Sequence, residues 1–93
     1  MSDATPPPYA VDDPEFLAVQ FGQRYQGLTE PLLAAFVEIG WDPMSGPHTT
    51  VLSDVQGAKT VERFMPDIDV VLNYVVFDDV RQVMITRVTR GIG

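Results

Sequence analysis

Four side chains in this sequence are of types that could take part in acid–base or phosphate chemistry, namely His48, Arg63, Tyr74 and Arg87. His48 is the single histidine, and the chain has no cysteine. A thiolate nucleophile, a disulfide and a metal site built on Cys or on several His are therefore excluded. We predict no catalytic residue beyond these four candidates.

The arginines have two alternative roles. Arg63 and Arg87 could clamp a phosphate or a carboxylate, because a guanidinium binds such groups through two parallel hydrogen bonds. They could equally form ion pairs with neighbouring acids such as Glu62 and Asp78, and the abundance of acids favours this second interpretation. Strand alternation predicts that Arg81 and Arg87 share one face of the last strand.

No cofactor or metal motif is present. The sequence lacks the GxGxxG, GxxxxGK[ST] and GxSxG patterns, so neither nucleotide binding nor a serine nucleophile has sequence support. Neighbouring carboxylates occur only beside predicted turns or a helix start, where Asp is common for backbone reasons; the pairs are Asp12/Asp13, Asp67/Asp69 and Asp78/Asp79. We therefore predict no cofactor and no metal.

Residues 68–88 predict a β-hairpin with a turn at Asp78-Asp79. Every second residue from Ile68 to Val76 is apolar, so one face of the first strand is predicted to be buried. The opposite face carries Val71, Val75 and Phe77, which is more apolar surface than a solvated face needs. We predict that these three residues bind another protein or form a homodimer. The alternative is a curled sheet whose second face is covered by the tail or a loop.

The rest of the chain predicts two helices and further strands. Tyr9 to Val11 is a candidate short edge strand. A helix is predicted to start at Asp12 to Glu15 and a second one at Thr29, which is its expected cap. Strands are predicted at residues 48–52 and 60–65, and a turn at residues 54–59. The predicted apolar positions are Phe16, Leu17, Phe21, Tyr25 and Leu28 in the first helix, and Leu32, Leu33, Phe36, Val37 and Ile39 in the second.

This order predicts an α+β fold in which an N-terminal helix hairpin packs on one face of a sheet of three to four mainly antiparallel strands. Residues 9–93 are predicted to form a single domain. Residues 1–8 include three consecutive prolines and predict a flexible tail. Trp41 is predicted to cover the edge of the core.

The formal net charge is −7. It is uneven, because residues 1–47 hold seven acids and one base, whereas residues 48–93 hold six acids and five bases. Such a surface repels phosphate backbones and argues against nucleic-acid binding. No apolar run is long enough for a membrane span, and the N-terminal residues lack the features of a signal peptide. We predict a cytoplasmic protein without membrane contact.

Residues 63–90 resemble the corresponding segment of the RelE/ParE toxin superfamily of bacterial toxin–antitoxin modules. The matching residues are Arg63–Asp67, the tyrosine-bearing stretch Val70–Val76, the acidic Asp78-Asp79 turn and the stretch Val83–Val88. The resemblance implies a RelE/ParE-like fold and points to Arg63 and Arg87 as the residues that correspond to functional ones. The chain departs from such toxins in being acidic, and in having Val70 and Val71 where ribosome-dependent members carry arginines.

Three functions are consistent with these observations. The first is a small acidic protein-binding domain, a toxin–antitoxin component or non-catalytic relative that acts by protein contact. The second is a ribosome-dependent mRNA endonuclease in which Arg63 and Arg87 bind phosphate and His48 or Tyr74 assists. The third is an acidic inhibitor or phage-type assembly protein whose first 47 residues present carboxylates to a basic surface.

Overall fold

A computed structural model describes residues 7–25 and 27–90. Within them the chain forms two helices and five strands. Residues 1–6 of the predicted flexible tail lie outside the described residues. In chain order the elements are β1 (Ala10–Val11), α1 (Pro14–Arg24), α2 (Thr29–Trp41), β2 (Thr49–Val55), β3 (Ala58–Met65), β4 (Val70–Phe77) and β5 (Gln82–Arg90).

The sheet is mixed, with the strand order β1-β5-β4-β3-β2. Strands β2 to β5 form an antiparallel meander, whereas β1 pairs parallel to β5. The predicted α+β class with two N-terminal helices is confirmed. The predicted count of three to four strands is wrong, because β1 joins the sheet through two backbone bonds, from Ala10 N–H to the Arg81 carbonyl (2.9 Å) and from Asp12 N–H to the Val83 carbonyl (3.0 Å).

Tight turns set the register of the meander. Gln56 and Gly57 both have positive φ, 52° and 83°, which is the backbone of a two-residue type I′ hairpin turn. The turn is therefore shorter than the predicted turn over residues 54–59. Strand β2 continues to Val55, and strand β3 begins at Ala58. The other two hairpins have four-residue connections, each ending at a residue with positive φ, Asp69 (55°) and Arg81 (54°).

The core lies between the helices and one face of the sheet, here called the inner face. Strand β4 alternates strictly, with Val70, Leu72, Tyr74 and Val76 buried, so the predicted buried face of this strand is confirmed. The remaining core residues are Ala18, Leu28, Leu32, Ala35, Phe36 and Ile39 from the helical part, and Val61, Val83, Ile85 and Val88 from β3 and β5.

Helices α1 and α2 cross at a glycine. A Cβ added to Gly22 would overlap Thr29 Oγ1 and would lie 2.9 Å from Thr29 Cα, so no larger residue fits without a shift of the helices. Ala18 and Gly22, spaced four residues apart, form the buried side of α1. The predicted apolar stripe is wrong at Phe16, whose side chain is 64% exposed. Thr29 is the first residue of α2 and not its cap, which is Leu28.

Strand β5 contains a bulge opposite Asn73 and Tyr74. Tyr74 pairs with Ile85 and Asn73 pairs with Arg87, which leaves Thr86 as the extra residue. The bulge reverses the alternation, so Val88 is buried and Arg87 lies on the opposite, outer face. The predicted shared face of Arg81 and Arg87 is therefore wrong. No helix in residues 7–25 and 27–90 has both the length and the apolarity needed to cross a membrane.

Candidate functional site: the outer face of the sheet

Both helices pack on the inner face, and the outer face of β3, β4 and β5 presents four cross-strand rows of side chains. The pairing places three strands in register in each row. The rows are Ala58–Phe77–Gln82, Thr60–Val75–Met84, Glu62–Asn73–Arg87 and Phe64–Val71–Thr89.

Two adjoining rows carry apolar side chains, which are half-buried at Ala58, Val75 and Phe77 and exposed at Met84. Val75 and Phe77 stand at the centre of these rows, flanked by Ala58 and Met84, and Val55 of β2 extends the same patch. Met84 is 42% exposed and Val55 is 63% exposed. We call these five residues the apolar patch. The structure thus places the predicted binding residues Val75 and Phe77 inside it, and Val71 two rows further along β4.

A polar row interrupts the apolar surface between Val71 and Val75. Asn73 lies at its centre, with Glu62 on one side and Arg87 on the other. Both charged side chains are exposed. The ion pair found in the described part of the chain joins Lys59 to Asp78, so neither Glu62 nor Arg87 has an intramolecular charged partner there.

Arg63 projects from the inner side of β3 and is only 9% exposed. Its Nη2 donates to the carbonyl oxygens of Asp42 (2.7 Å) and Ser45 (2.9 Å), and its Nε donates to Thr49 Oγ1 (3.1 Å). The side chain therefore fastens the loop between α2 and β2 to the sheet. The predicted ion pair of Arg63 with a nearby acid is absent from the described residues, since backbone carbonyls take its donors.

Tyr74 fastens the same loop from the neighbouring strand. Its side chain is fully buried, and its hydroxyl donates to the carbonyl oxygen of Pro43. Burial raises the pKa of the Tyr74 hydroxyl above its usual value, and the nearby guanidinium of Arg63 opposes this change. A neutral phenol at this position is a hydrogen-bond donor to the loop at physiological pH.

His48 ends the loop that Arg63 and Tyr74 hold. It has a positive φ of 59°, and its carbonyl accepts the backbone N–H of Phe64 at 2.9 Å. The imidazole meets the Phe64 ring edge-on, with 5.9 Å between ring centroids. Of the four sequence-predicted candidates, the structure brings Arg63 and Tyr74 together around one loop, whereas Arg87 lies on the other face of the sheet.

The same loop borders a cavity of about 500 Å³ beside the C-terminal end of α2. Val37, Trp41, Arg63 and Met65 are among the residues that line it. Trp41 is half exposed and also lines a second, more apolar cavity of about 240 Å³ next to β1. Trp41 therefore stands between two openings at the edge of the core. No group of three or more potential metal-ligating side chains occurs in the described residues.

A polar cluster ties the start of the described chain to the β4–β5 turn. The Tyr9 hydroxyl donates to Asp78 Oδ1 (2.8 Å), Lys59 forms an ion pair with the same carboxylate, and the Arg81 guanidinium lies 5.4 Å from the centre of the Tyr9 ring. The hydrogen bond from Lys59, followed by that from Tyr9, lowers the pKa of Asp78. The bond to Asp78 correspondingly raises the pKa of Lys59 and of Tyr9. The side chains of this cluster therefore interact with one another.

A comparison with known protein families, curated proteins and solved structures finds no match. The function must therefore be argued from the chain's own geometry. The sequence predicted Val71, Asn73, Val75 and Phe77 on this face, but it gave no binding role to Asn73, Glu62 or Met84. The signal that could have found them is cross-strand pairing, which requires the registers of both hairpins.

Proposed function

We propose that this chain is a small acidic protein-binding domain that acts through the outer face of its sheet rather than by catalysis. The observation that carries the proposal is the apolar patch, which lies on the face opposite both helices. Exposed apolar side chains that are scattered singly are ordinary on a protein surface, whereas contiguous ones mark interaction sites.

The position of the patch supports the same conclusion. Its centre, Val75 and Phe77, lies on β4, the middle strand of the five-stranded sheet, so it has strands on both sides and the core beneath it. A rigid backing of this kind reduces the conformational entropy that is lost on binding. The polar row of Glu62, Asn73 and Arg87 beside it supplies groups that can fix the orientation of a partner.

Catalysis has less support from the geometry. Three of the five N–H donors of Arg63 bond to Asp42, Ser45 and Thr49, and Arg87 lies on the opposite face of the sheet. A phosphate cannot contact both guanidinium groups in this arrangement. The endonuclease function and the acidic inhibitor or assembly function remain predictions from the sequence. No contact in the described residues favours either of them.

The proposal includes a role as a RelE/ParE-like toxin–antitoxin component or as a non-catalytic relative of that superfamily. The support for this role is the sequence resemblance of residues 63–90 to that superfamily. We expect expression of the chain alone to arrest bacterial growth, and substitution of the patch to relieve the arrest. Undiminished growth with the unmodified chain would remove the toxin part of the proposal and leave protein binding untouched.

Protein binding is tested with the double variant Val75→Thr/Phe77→Thr, which keeps β-forming residues in β4 while removing apolar surface. The matched control is Val80→Thr, because Val80 is 66% exposed but lies in the β4–β5 turn. Each immobilised protein, shown to be folded by circular dichroism, is exposed to a lysate of the source cells together with labelled copies of the chain.

We expect the unmodified chain and the Val80 variant to retain the same protein, and the double variant to lose it, because only the double variant alters the patch. Retention of an identical set by all three proteins would contradict a binding role for the outer face.

A further inference from the structure

The outer face is electrically self-complementary, and we propose that its partner is a second copy of this chain. The proposed dimer places the two outer faces against each other about a two-fold axis parallel to β4. This inference rests on the proposed function, since it names the partner of the same face.

The polar row provides the first argument. A two-fold axis along β4 exchanges the positions of β3 and β5 between the copies, while each cross-strand row stays opposite itself. Glu62 of one copy then faces Arg87 of the other, and the symmetry produces this contact twice. Neither side chain has a charged partner within the described residues, and both are exposed at positions equally distant from Asn73.

The residues on the axis provide the second argument. Val71, Asn73, Val75 and Phe77 all belong to the outer face of β4, so each meets its own counterpart in the second copy. Three of these contacts are apolar. The fourth joins two amide side chains, which can hydrogen-bond to each other because an amide carries both donors and an acceptor. A polar pair within an apolar contact opposes slippage, as a buried asparagine does in coiled coils.

The charge of the face favours a second copy over a basic partner. The chain carries a formal charge of −7, yet the four outer rows contain one acid, Glu62, and one base, Arg87. A basic partner would be attracted to the acidic parts of the molecule rather than to this neutral face. Two copies can approach here with attraction between the charges of the polar row.

The size of the face is adequate for a dimer. Strands β2 to β5 at a spacing of about 4.8 Å, with eight residues at about 3.4 Å each, span roughly 500 Å² in projection. Two such faces together present about 1,000 Å², which is the lower limit for a specific interface. Face-to-face packing at about 10 Å between the sheets is the geometry of β-sandwiches.

The test is charge exchange, with the dimer dissociation constant measured by sedimentation velocity over a concentration series. In a dimer of the Glu62→Arg variant, guanidinium groups at positions 62 and 87 of opposite copies would face each other twice. In a dimer of the Arg87→Glu variant, carboxylates would face each other at the same two places. We expect each single variant to dimerise about tenfold or more weakly than the unmodified chain. We expect the 1:1 mixture of the two variants, and the double variant Glu62→Arg/Arg87→Glu, to recover dimerisation, because both restore opposite charges.

Glu38→Arg is the matched control, since it makes the same change in net charge from an exposed position on α2, away from the outer face. Reduced net charge alone would strengthen association in both Glu→Arg variants, whereas the proposed pairing weakens it only in Glu62→Arg.

Failure of this inference can be told apart from failure of the proposed function. An unmodified chain that stays monomeric at all concentrations, or a dimer that the exchanges leave unchanged, overturns the inference of a second copy. The proposed function survives the first outcome if the lysate experiment retains another protein through Val75 and Phe77. It falls if neither a second copy nor another protein depends on the outer face.

Discussion

The loop between α2 and β2 offers a direct test of whether Arg63 and Tyr74 are structural. The perturbations are Arg63→Met, which keeps an unbranched side chain, and Tyr74→Phe, which removes only the hydroxyl. Hydrogen bonds to a charged group contribute about 1.5–3 kcal/mol each before the cost of burying that group is counted. Arg63 donates three such bonds at 2.7–3.1 Å.

Replacement of Arg63 also removes the cost of burying a guanidinium, and solvent can hydrate part of the released loop. We therefore expect a net loss of about 2–3 kcal/mol in the free energy of unfolding for Arg63→Met. Tyr74→Phe leaves the carbonyl of the buried Pro43 without its donor, which costs about 1–3 kcal/mol. Because both side chains hold one loop, the double variant is expected to lose about 1 kcal/mol less than the sum of the single losses.

The measurement is urea denaturation followed by circular dichroism and by the fluorescence of Trp41, the single tryptophan, which ends α2 directly before this loop. A control is Arg90→Met, which removes an exposed arginine whose side chain has no hydrogen bond in the described structure, and it is expected to change stability by less than about 0.5 kcal/mol. The reasoning is refuted if Arg63→Met and Tyr74→Phe both leave the free energy of unfolding within about 0.5 kcal/mol of the unmodified chain. Such a result would return both residues to the list of catalytic candidates.

Three further predictions concern the crossing of the helices, the polar cluster and the core. Gly22→Ala is expected to destabilise the protein by about 1–3 kcal/mol in urea denaturation, because the clash with Thr29 outweighs the roughly 1 kcal/mol that alanine gains in a helix; Gln23→Ala, on the exposed side of α1, should stabilise slightly, and a stabilising Gly22→Ala would disprove the close crossing. The pKa of Asp78 is lowered in the folded state, so its contribution to stability is present above the unfolded pKa near 3.9 and is lost as the pH falls through the folded pKa. Asp78→Asn should therefore reduce the fall of the melting temperature at acid pH, and an unchanged fall would contradict this. Phe36→Ala, in the centre of the core, should cost about 3–5 kcal/mol, and a loss below about 1 kcal/mol would mean that α2 does not pack as described.

The sequence predicted the strands where their pattern was regular. Strand β4 alternates without interruption, so its buried and outer residues could be assigned from spacing alone. The alternation of β5 is broken by the extra residue Thr86, so the buried positions pass from Val83 and Ile85 to Val88. The prediction continued the alternation without this shift and gave Arg87 the same face as Arg81, so the position of Arg87 beside Asn73 was not predicted.

Helix α1 shows a second reason for error. The prediction gave most weight to large apolar residues such as Phe16, whereas the buried side of α1 is formed by Ala18 and Gly22. Small residues face α2 because the helices cross closely, and which residues face the crossing depends on the tertiary arrangement. The role of Arg63 was hidden for a similar reason, because backbone carbonyls of a distant loop carry no signature in the sequence.

The pairing of β1 with β5 has a consequence for how the molecule folds. The bond from Tyr9 to Asp78 spans 69 positions, and the paired residues Ala10 and Gln82 of the two strands are 72 positions apart. Contacts of such sequence separation carry the largest loop-closure entropy, so β1 is expected to dock only after the meander has formed. Two residues held by few backbone bonds also detach at little cost, which makes this edge the part of the sheet most open to amide hydrogen exchange.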